Sequence, residues 1–287
     1  MAQNHPRLTP ARPDLAAAHL AGLVPAERYV AGARAHVIDG VAPVRREPRP
    51  DAALDTEALF GEAVTVYDED AEGWAWVQLE RDGYVGYLPS SALLKGERPA
   101  PTHRVSALRS FVFPGPSIKE PPLAWISLGS EVAIRREIEE RGRRFGVTAN
   151  GGCIVMQHLA TIGSVEPDPV AVAERFLGAP YLWGGKSSLG LDCSGLVQTA
   201  LRACGHRVPR DTDMQEAEVG IEVGTDPAAW RRGDLLFWPG HVAFVRDGGT
   251  ILHANAFQMM VGIEATDAAL ARIEASGTPL RSVRRVG

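Results

Sequence analysis

Between residues 35 and 94 the chain alternates apolar and polar positions in short runs. Ala63-Val-Thr-Val-Tyr67, Trp74-Ala-Trp-Val-Gln-Leu79 and Gly83-Tyr-Val-Gly-Tyr-Leu88 are rich in β-branched and aromatic residues, and Asp, Glu and Gly clusters separate them. Short strands at that spacing predict a small antiparallel barrel. A weaker copy follows at an offset of 68 to 69 residues. Gly61-Glu-Ala-Val-Thr-Val66 is echoed by Gly129-Ser-Glu-Val-Ala-Ile134, Trp76-Val-Gln by Phe145-Gly-Val, and Gly83-Tyr-Val by Gly152-Cys-Ile. The repeat predicts two tandem barrels of about 60 residues each, unless β-rich segments match by chance.

After Val165 the period changes. Asp168-Pro169 suits a helix start, because Asp caps and Pro fits the first helical position. Val172, Ala173, Phe176 and Leu177 share one face, and Gly178 is a stop. A second helix is predicted from Cys193 to about Cys204, with Leu196, Val197, Ala200 and Leu201 on its core stripe. Residues 234–238, 241–245 and 250–253 read as strands. Helices followed by strands predict an α+β domain. Clusters of Pro and charge at 43–50, 97–101 and 165–169 favour loops and linkers. The boundaries expected are an N-terminal segment 1–34, a first barrel 35–97, a second barrel 98–165 and an α+β domain 166–287.

Composition narrows the partners. Thirty Lys and Arg stand against 35 Asp and Glu, a net charge of −5. Neither nucleic acid nor an anionic membrane is expected as the main partner, because both need a basic footprint. The three cysteines form no Cys-x-x-Cys pair, so neither a disulfide framework nor a structural zinc site is expected. The N-terminus lacks a basic start followed by an apolar run, and residues 14–24 are too short to span a bilayer. The expectation is a cytoplasmic protein.

Cys193 carries the candidate chemistry. It opens the second helix within Leu191-Asp192-Cys193-Ser194-Gly195. Helix N-terminal amides favour a thiolate and lower a thiol pKa. Taken alone, such a cysteine is more often a small buried apolar group. Cys204, three turns on and roughly 16 Å away, is too far for a disulfide. Two histidines change the weighing. His241 and His253 flank a hairpin-like stretch. If its loop has an odd number of residues, for example Arg246-Asp247-Gly248, they lie opposite each other on one face; a two-residue loop would separate them. A nucleophile, a base and an orienting group then line up. His5, His19, His36, His103, His158 and His206 read as ordinary core or surface histidines.

Five motifs in order, Tyr181-Leu-Trp-Gly-Gly, Leu191-Asp-Cys-Ser-Gly-Leu, Pro209-Arg-Asp-Thr, Arg231-Arg-Gly-Asp-Leu-Leu-Phe-Trp and Gly240-His-Val-Ala-Phe-Val, resemble the NlpC/P60 family of cysteine peptidases. The resemblance covers residues 165–287 and implies a papain-like α+β catalytic domain. It implies Cys193 as nucleophile, His241 as general base and His253 as the group orienting His241, with no metal or organic cofactor. Two SH3-like barrels ahead of such a domain resemble the γ-D-glutamyl-L-diamino acid endopeptidases, which cleave murein peptides carrying a free N-terminal L-Ala during cell-wall recycling. In that class the first barrel and the catalytic domain clamp the alanine. The resemblance implies Asp211, Glu62 and Tyr84 around the ammonium, Tyr181 and Trp183 as walls, and Asp192 and Ser194 against the peptide; Asp192 has the alternative of capping the helix. Cys153 stands where the second repeat would match Tyr84. Rival readings are an amidase or acyltransferase of the same superfamily and a non-catalytic peptidoglycan-binding protein. The choice between L-Lys and meso-diaminopimelate, and the oligomeric state, are not written in the motifs.

Overall fold

The computed structural model describes residues 5–287 and divides into two compact units, one extending to Ile162 and one spanning Gly163–Gly287. Each is described by itself.

The first unit carries a seven-stranded antiparallel sheet. In spatial order its strands are Leu54–Leu59, Val41–Arg45, Val85–Pro89, Trp74–Leu79, Ala63–Glu69, Ala33–Val37 and Leu93–Lys95. Strand alternation places Val64 and Val66 inward, with Val37, Val44, Val77, Leu79 and Leu88 completing the core. The three runs singled out from sequence are adjacent strands of this sheet. Its ladder is open, with the first and last strands above as its edges, so the expected barrel does not close by hydrogen bonds.

Residues of the N-terminal segment belong to this sheet's packing. The Val85 amide donates to the Arg7 carbonyl at 2.9 Å, and Gln78 Nε2 donates to the Leu8 carbonyl at 2.8 Å. Arg12 lies over the Trp76 ring at 4.4 Å and pairs with Asp68 at 2.6 Å.

Three smaller sheets follow. His103–Val105 pairs with Glu131–Val132 and Leu159–Thr161; Arg109–Val112 pairs with Ala124–Ser127; Ile134–Glu140, Arg143–Thr148 and Cys153–Val155 form the third. Val105, Val112, Ile126, Val132 and Ile154 make their core. Glu131 joins this part to the larger sheet, pairing with Arg81 and Arg98 at 2.8 Å each.

The second unit begins with α1 (Pro169–Glu174). Asp168 Oδ1 accepts from the Val170 amide, and Pro169 takes the first helical position. The helix ends before the expected Gly178; residues 175–177 continue as a turn. Helix α2 (Cys193–Ala203) is buried almost all round, polar Gln198 and Thr199 included. Gly205, at φ +90°, follows its end as a left-handed stop. Helix α3 (Thr212–Glu218) leads into a six-stranded antiparallel sheet with α4 (Thr266–Ala275) ahead of its last strand. The strands are β1 (Ile221–Glu222), β2 (Leu235–Trp238), β3 (His241–Val245), β4 (Thr250–Asn255), β5 (Met260–Ala265) and β6 (Ser282–Arg285), in spatial order β1-β6-β2-β3-β4-β5. Ala243, Val245 and Ile251 from one sheet face pack with Ala269 and Ile273 of α4.

Gly61 shows how tightly the first unit is closed. Its φ is +78°, and a Cβ there would lie 2.0 Å from the Glu131 carbonyl oxygen, a backbone atom that cannot rotate away. Gly61→Ala is expected to destabilise the first unit by ~2–4 kcal/mol, read as a lower denaturant midpoint.

Candidate active site

The site is built at the N-terminus of α2. Asp192 is the N-cap: its Oδ1 accepts from the Gly195 amide at 2.6 Å. The same carboxylate accepts from the Gly184 amide at 2.8 Å, from Ser194 Oγ at 3.2 Å, and from both terminal nitrogens of Arg210 at 2.9 and 2.7 Å. Arg210 is fully buried and also donates to Ser194 Oγ and to the Gly185 carbonyl. A carboxylate offers about four lone-pair sites. Asp192 has committed them to the fold, and Ser194 Oγ is likewise engaged. The capping alternative for Asp192 is what the structure shows.

Cys193 is the first residue of α2 and is buried. Its Sγ lies 3.8 Å from Thr212 Oγ1 at the start of α3 and 3.9 Å from the Gly240 carbonyl oxygen beside β3. Burial pushes the thiol up to about 11, the Asp192 charge adds to this, and the Val242 and Ser194 amides and Thr212 only partly oppose it. The lowered thiol pKa expected from the helix terminus is thus not what the site has. Desolvation of the anion outweighs the dipole, and the capping carboxylate offsets it further.

His241 is the first residue of β3, across a Pro239-Gly240 turn from its partner Trp238. The hairpin to β4 pairs Phe244 with Leu252 and Val245 with Ile251, leaving a five-residue loop, 246–250. The Arg246 amide donates to the Thr250 carbonyl, and Asp247 Oδ1 accepts from the Gly249 amide. The loop is odd, so His241 and His253 share a face. It is two residues longer than the example drawn from sequence, so the two are diagonal neighbours rather than directly opposite. The diagonal suffices for contact: His241 Nε2 and His253 Nδ1 are 2.9 Å apart. His253 is buried, while His241 is half-buried with Trp238 against its ring at 5.6 Å. Burial, then the neighbouring His253 and Arg272, push His241 down to about 3. Burial also lowers His253.

Sequence reasoning passed over the rest of this line. Glu264 on β5 places Oε2 3.3 Å from His253 Nε2, and Arg272 of α4 grips Glu264 with two hydrogen bonds of 2.9 and 2.7 Å. Those bonds hold the Glu264 carboxyl below its usual range. Arg210 sits inside a quoted motif, but only its neighbour Asp211 drew attention; nothing local marks Glu264. Gln215 was missed too. Its Nε2 donates to the Ser194 and Pro209 carbonyls and ties α3 to the first turn of α2.

The other expected site residues are divided between the two units. Tyr181 is half-buried near Cys193 and Asp192; burial and those charges raise its phenol. Trp183 is 65% exposed, so it is not a core aromatic. Asp211 precedes α3, is half-buried, and does not cap the helix with its side chain. Glu62 and Tyr84 belong to the first unit and are both buried there. Glu62 Oε2 accepts from the Leu59 amide at 3.0 Å, and Tyr84 packs in the sheet's core. Each has a structural task in that unit.

A buried thiol at a helix N-terminus, beside a two-imidazole line on an antiparallel sheet, is the equipment of a thiol-dependent hydrolase. A family model described as the NlpC/P60 family matches residues 178–272, and one described as the bacterial dipeptidyl-peptidase Sh3 domain matches residues 44–93. The γ-D-glutamyl-L-lysine dipeptidyl-peptidase of Bacillus subtilis is 30% identical over 230 residues, covering 71% of this chain and 73% of that one. The protein of the same name from Bacillus cereus is 27% identical over 238 residues, covering 73% and 70%. In fold, an NlpC/P60 family protein from Bacillus cereus superposes with a TM-score of 0.73 at 22% identity, over 88% of this chain and 99% of that one. The chain belongs to the NlpC/P60 family of cysteine peptidases, with an SH3-like domain ahead of the peptidase domain.

Two expectations follow. Arg210→Ala strands the buried Asp192 carboxylate and should cost ~3–5 kcal/mol, read from the unfolding of the second unit. The second concerns acid. Above pH 6.5 both the folded and the unfolded chain hold His241 neutral. Below it the unfolded chain takes up a proton that the folded site refuses until about pH 3, so stability falls as pH falls through that window. Relative to the parent, His241→Gln should remove about 1–2 kcal/mol of the loss between pH 6.5 and 5, measured by denaturant titration at each pH.

Proposed function

We propose that the protein is an endopeptidase that cleaves the γ-D-glutamyl-L-diamino acid bond of murein peptides with a free N-terminal L-Ala, in the recycling of cell-wall peptides. The observation that carries the chemistry is the 2.9 Å contact between His241 and His253 on the strands beside the Cys193 thiol. The substrate class rests on the names of the two Bacillus relatives, each a γ-D-glutamyl-L-lysine dipeptidyl-peptidase.

In this reading the resting pair is neutral, because burial disfavours both thiolate and imidazolium. The proton therefore moves as the bond forms. Cys193 Sγ attacks the γ-carbonyl carbon of D-Glu while its proton passes to His241. The carbonyl oxygen becomes an oxyanion, facing the Cys193 amide, which as the first helical position has no partner within α2. The C–N bond then breaks, His241 returns its proton to the leaving amine, and a thioester remains. Water, deprotonated by His241, attacks the thioester; L-Ala-γ-D-Glu leaves as a carboxylate and the thiol is restored. Asp211 supplies the charge that meets the substrate's ammonium, and Tyr181 and Trp183 flank the peptide. We also read the sheets after residue 98 as a second, diverged SH3-like module. In support, a strand, a single 3-10 turn and a short strand succeed one another at Val85–Lys95 and again at Cys153–Thr161.

Cys193→Ala should abolish release of L-Ala-γ-D-Glu from L-Ala-γ-D-Glu-L-Lys, followed by mass spectrometry, without lowering the unfolding temperature. Acetylating the substrate's alanine should slow the parent enzyme by about a hundredfold or more, since a desolvated acid loses its charged partner. Equal rates on free and blocked peptides would exclude the ammonium contact.

A further inference from the structure

Three adjacent strands carry a diagonal ladder. β3 offers His241, β4 offers His253 and β5 offers Glu264. On β4 and β5 the register pairs His253 with Gly262 and Ile251 with Glu264, so Glu264 is the diagonal same-face neighbour of His253. The ladder ends on Arg272, whose guanidinium also lies over the Phe257 ring at 4.4 Å.

We propose that Glu264 is a positioning residue that sets the tautomers of both imidazoles. The inference rests on the reading of Cys193 and His241 as nucleophile and base. Two neutral imidazoles joined nitrogen to nitrogen share one proton, in one of two ways. With the proton on His241 Nε2, the lone pair of His241 is on Nδ1 and can take the thiol's proton. With the proton on His253 Nδ1, the proton of His241 is forced to Nδ1 and the base has nothing to accept with.

The far side of His253 decides between them. There Nε2 is buried, and among the described residues no well-aligned hydrogen bond reaches it. The charged group beside it is Glu264 Oε2 at 3.3 Å. A proton on Nε2 faces that carboxylate favourably; a lone pair on Nε2 faces it with like charge. The carboxylate therefore draws the His253 proton to Nε2, makes Nδ1 an acceptor, and leaves the His241 proton on Nε2. Arg272 keeps the switch set by holding Glu264 ionised through two hydrogen bonds. The groups facing His253 are His241 from β3, Glu264 from β5 and Arg272 from α4, while the Cys193 thiol of α2 lies 3.9 Å from the Gly240 carbonyl, next in sequence to His241. A geometric role alone would leave the proton positions indifferent to the charge at residue 264.

The test is long-range proton–nitrogen correlation NMR on full-length protein labelled with 15N-histidine, which distinguishes the two tautomers. In the parent, His241 and His253 should both carry the proton on Nε2. Glu264→Gln keeps the volume and an acceptor for Arg272 but removes the charge. It should bring up the Nδ1–H form of His253 and lower kcat about 10- to 100-fold with KM little changed. Nδ1–H on His253 in the parent overturns the proposal without any variant. Unchanged tautomers or unchanged kcat in Glu264→Gln overturn it as well. Failure of the underlying reading looks different: Cys193→Ala would retain turnover whatever the tautomers are.

Discussion

The second unit depends on one buried ion pair. Asp192 and Arg210 meet in a two-pronged contact with the guanidinium wholly removed from water. Charges buried this way stabilise a fold only when every remaining donor and acceptor is satisfied. Here they are put to several uses at once. The carboxylate caps α2 and holds the Gly184 amide, and the guanidinium takes the Gly185 carbonyl and Ser194 Oγ. The chain before Cys193, the helix that begins on it and the segment leading to α3 are thereby fixed to one point. Gly195 reflects the same crowding: a Cβ there would lie 2.1 Å from the Gly185 carbonyl oxygen. Cys193 sits in the middle of this knot, and its position follows from it.

The knot also sets the electrostatics. A helix N-terminus favours an anion, but this one already has its anion in Asp192. Burial then raises the Cys193 thiol and lowers His241, so thiol and imidazole rest without charge. A neutral pair makes proton placement the governing variable, in contrast to a preformed thiolate and imidazolium. The diagonal line from His241 through His253 to Glu264 and Arg272 then has a clear electrostatic sense. Its charges lie at the end remote from the thiol, where they orient the imidazoles without ionising them.

Much of this was legible along the chain. The period-two runs of the first sheet and the helical stripe of α2 are local consequences of which side chains must face the core. Asp168-Pro169 and the capping alternative for Asp192 are local in the same way. The sequence left both the parity and the length of the 246–250 loop open, because Asp247 and Thr250 shape the turn through hydrogen bonds that composition does not reveal. Glu62 and Tyr84 were read through family position alone. In their own unit one holds a turn and the other fills the core, as barrel residues ordinarily do. The N-terminal segment had no legible pattern, since its tie to the sheet runs partly through backbone groups of Arg7 and Leu8 that any residue could supply, and partly through Arg12, whose partners Trp76 and Asp68 lie far along the chain.

By itself, then, the sequence determined the kinds of element, the family motifs, and the placing of Cys193 at a helix start and of His241 and His253 on strands. These depend on short-range spacing and on side-chain chemistry present in the text. Tertiary structure decided what those residues experience. Desolvation is a property of the surroundings, so the direction of the thiol's shift could not be read from a helix start. Arg210 and Glu264 act across 18 and 11 residues of chain on Asp192 and His253, through contacts that exist only once helix and sheet are packed.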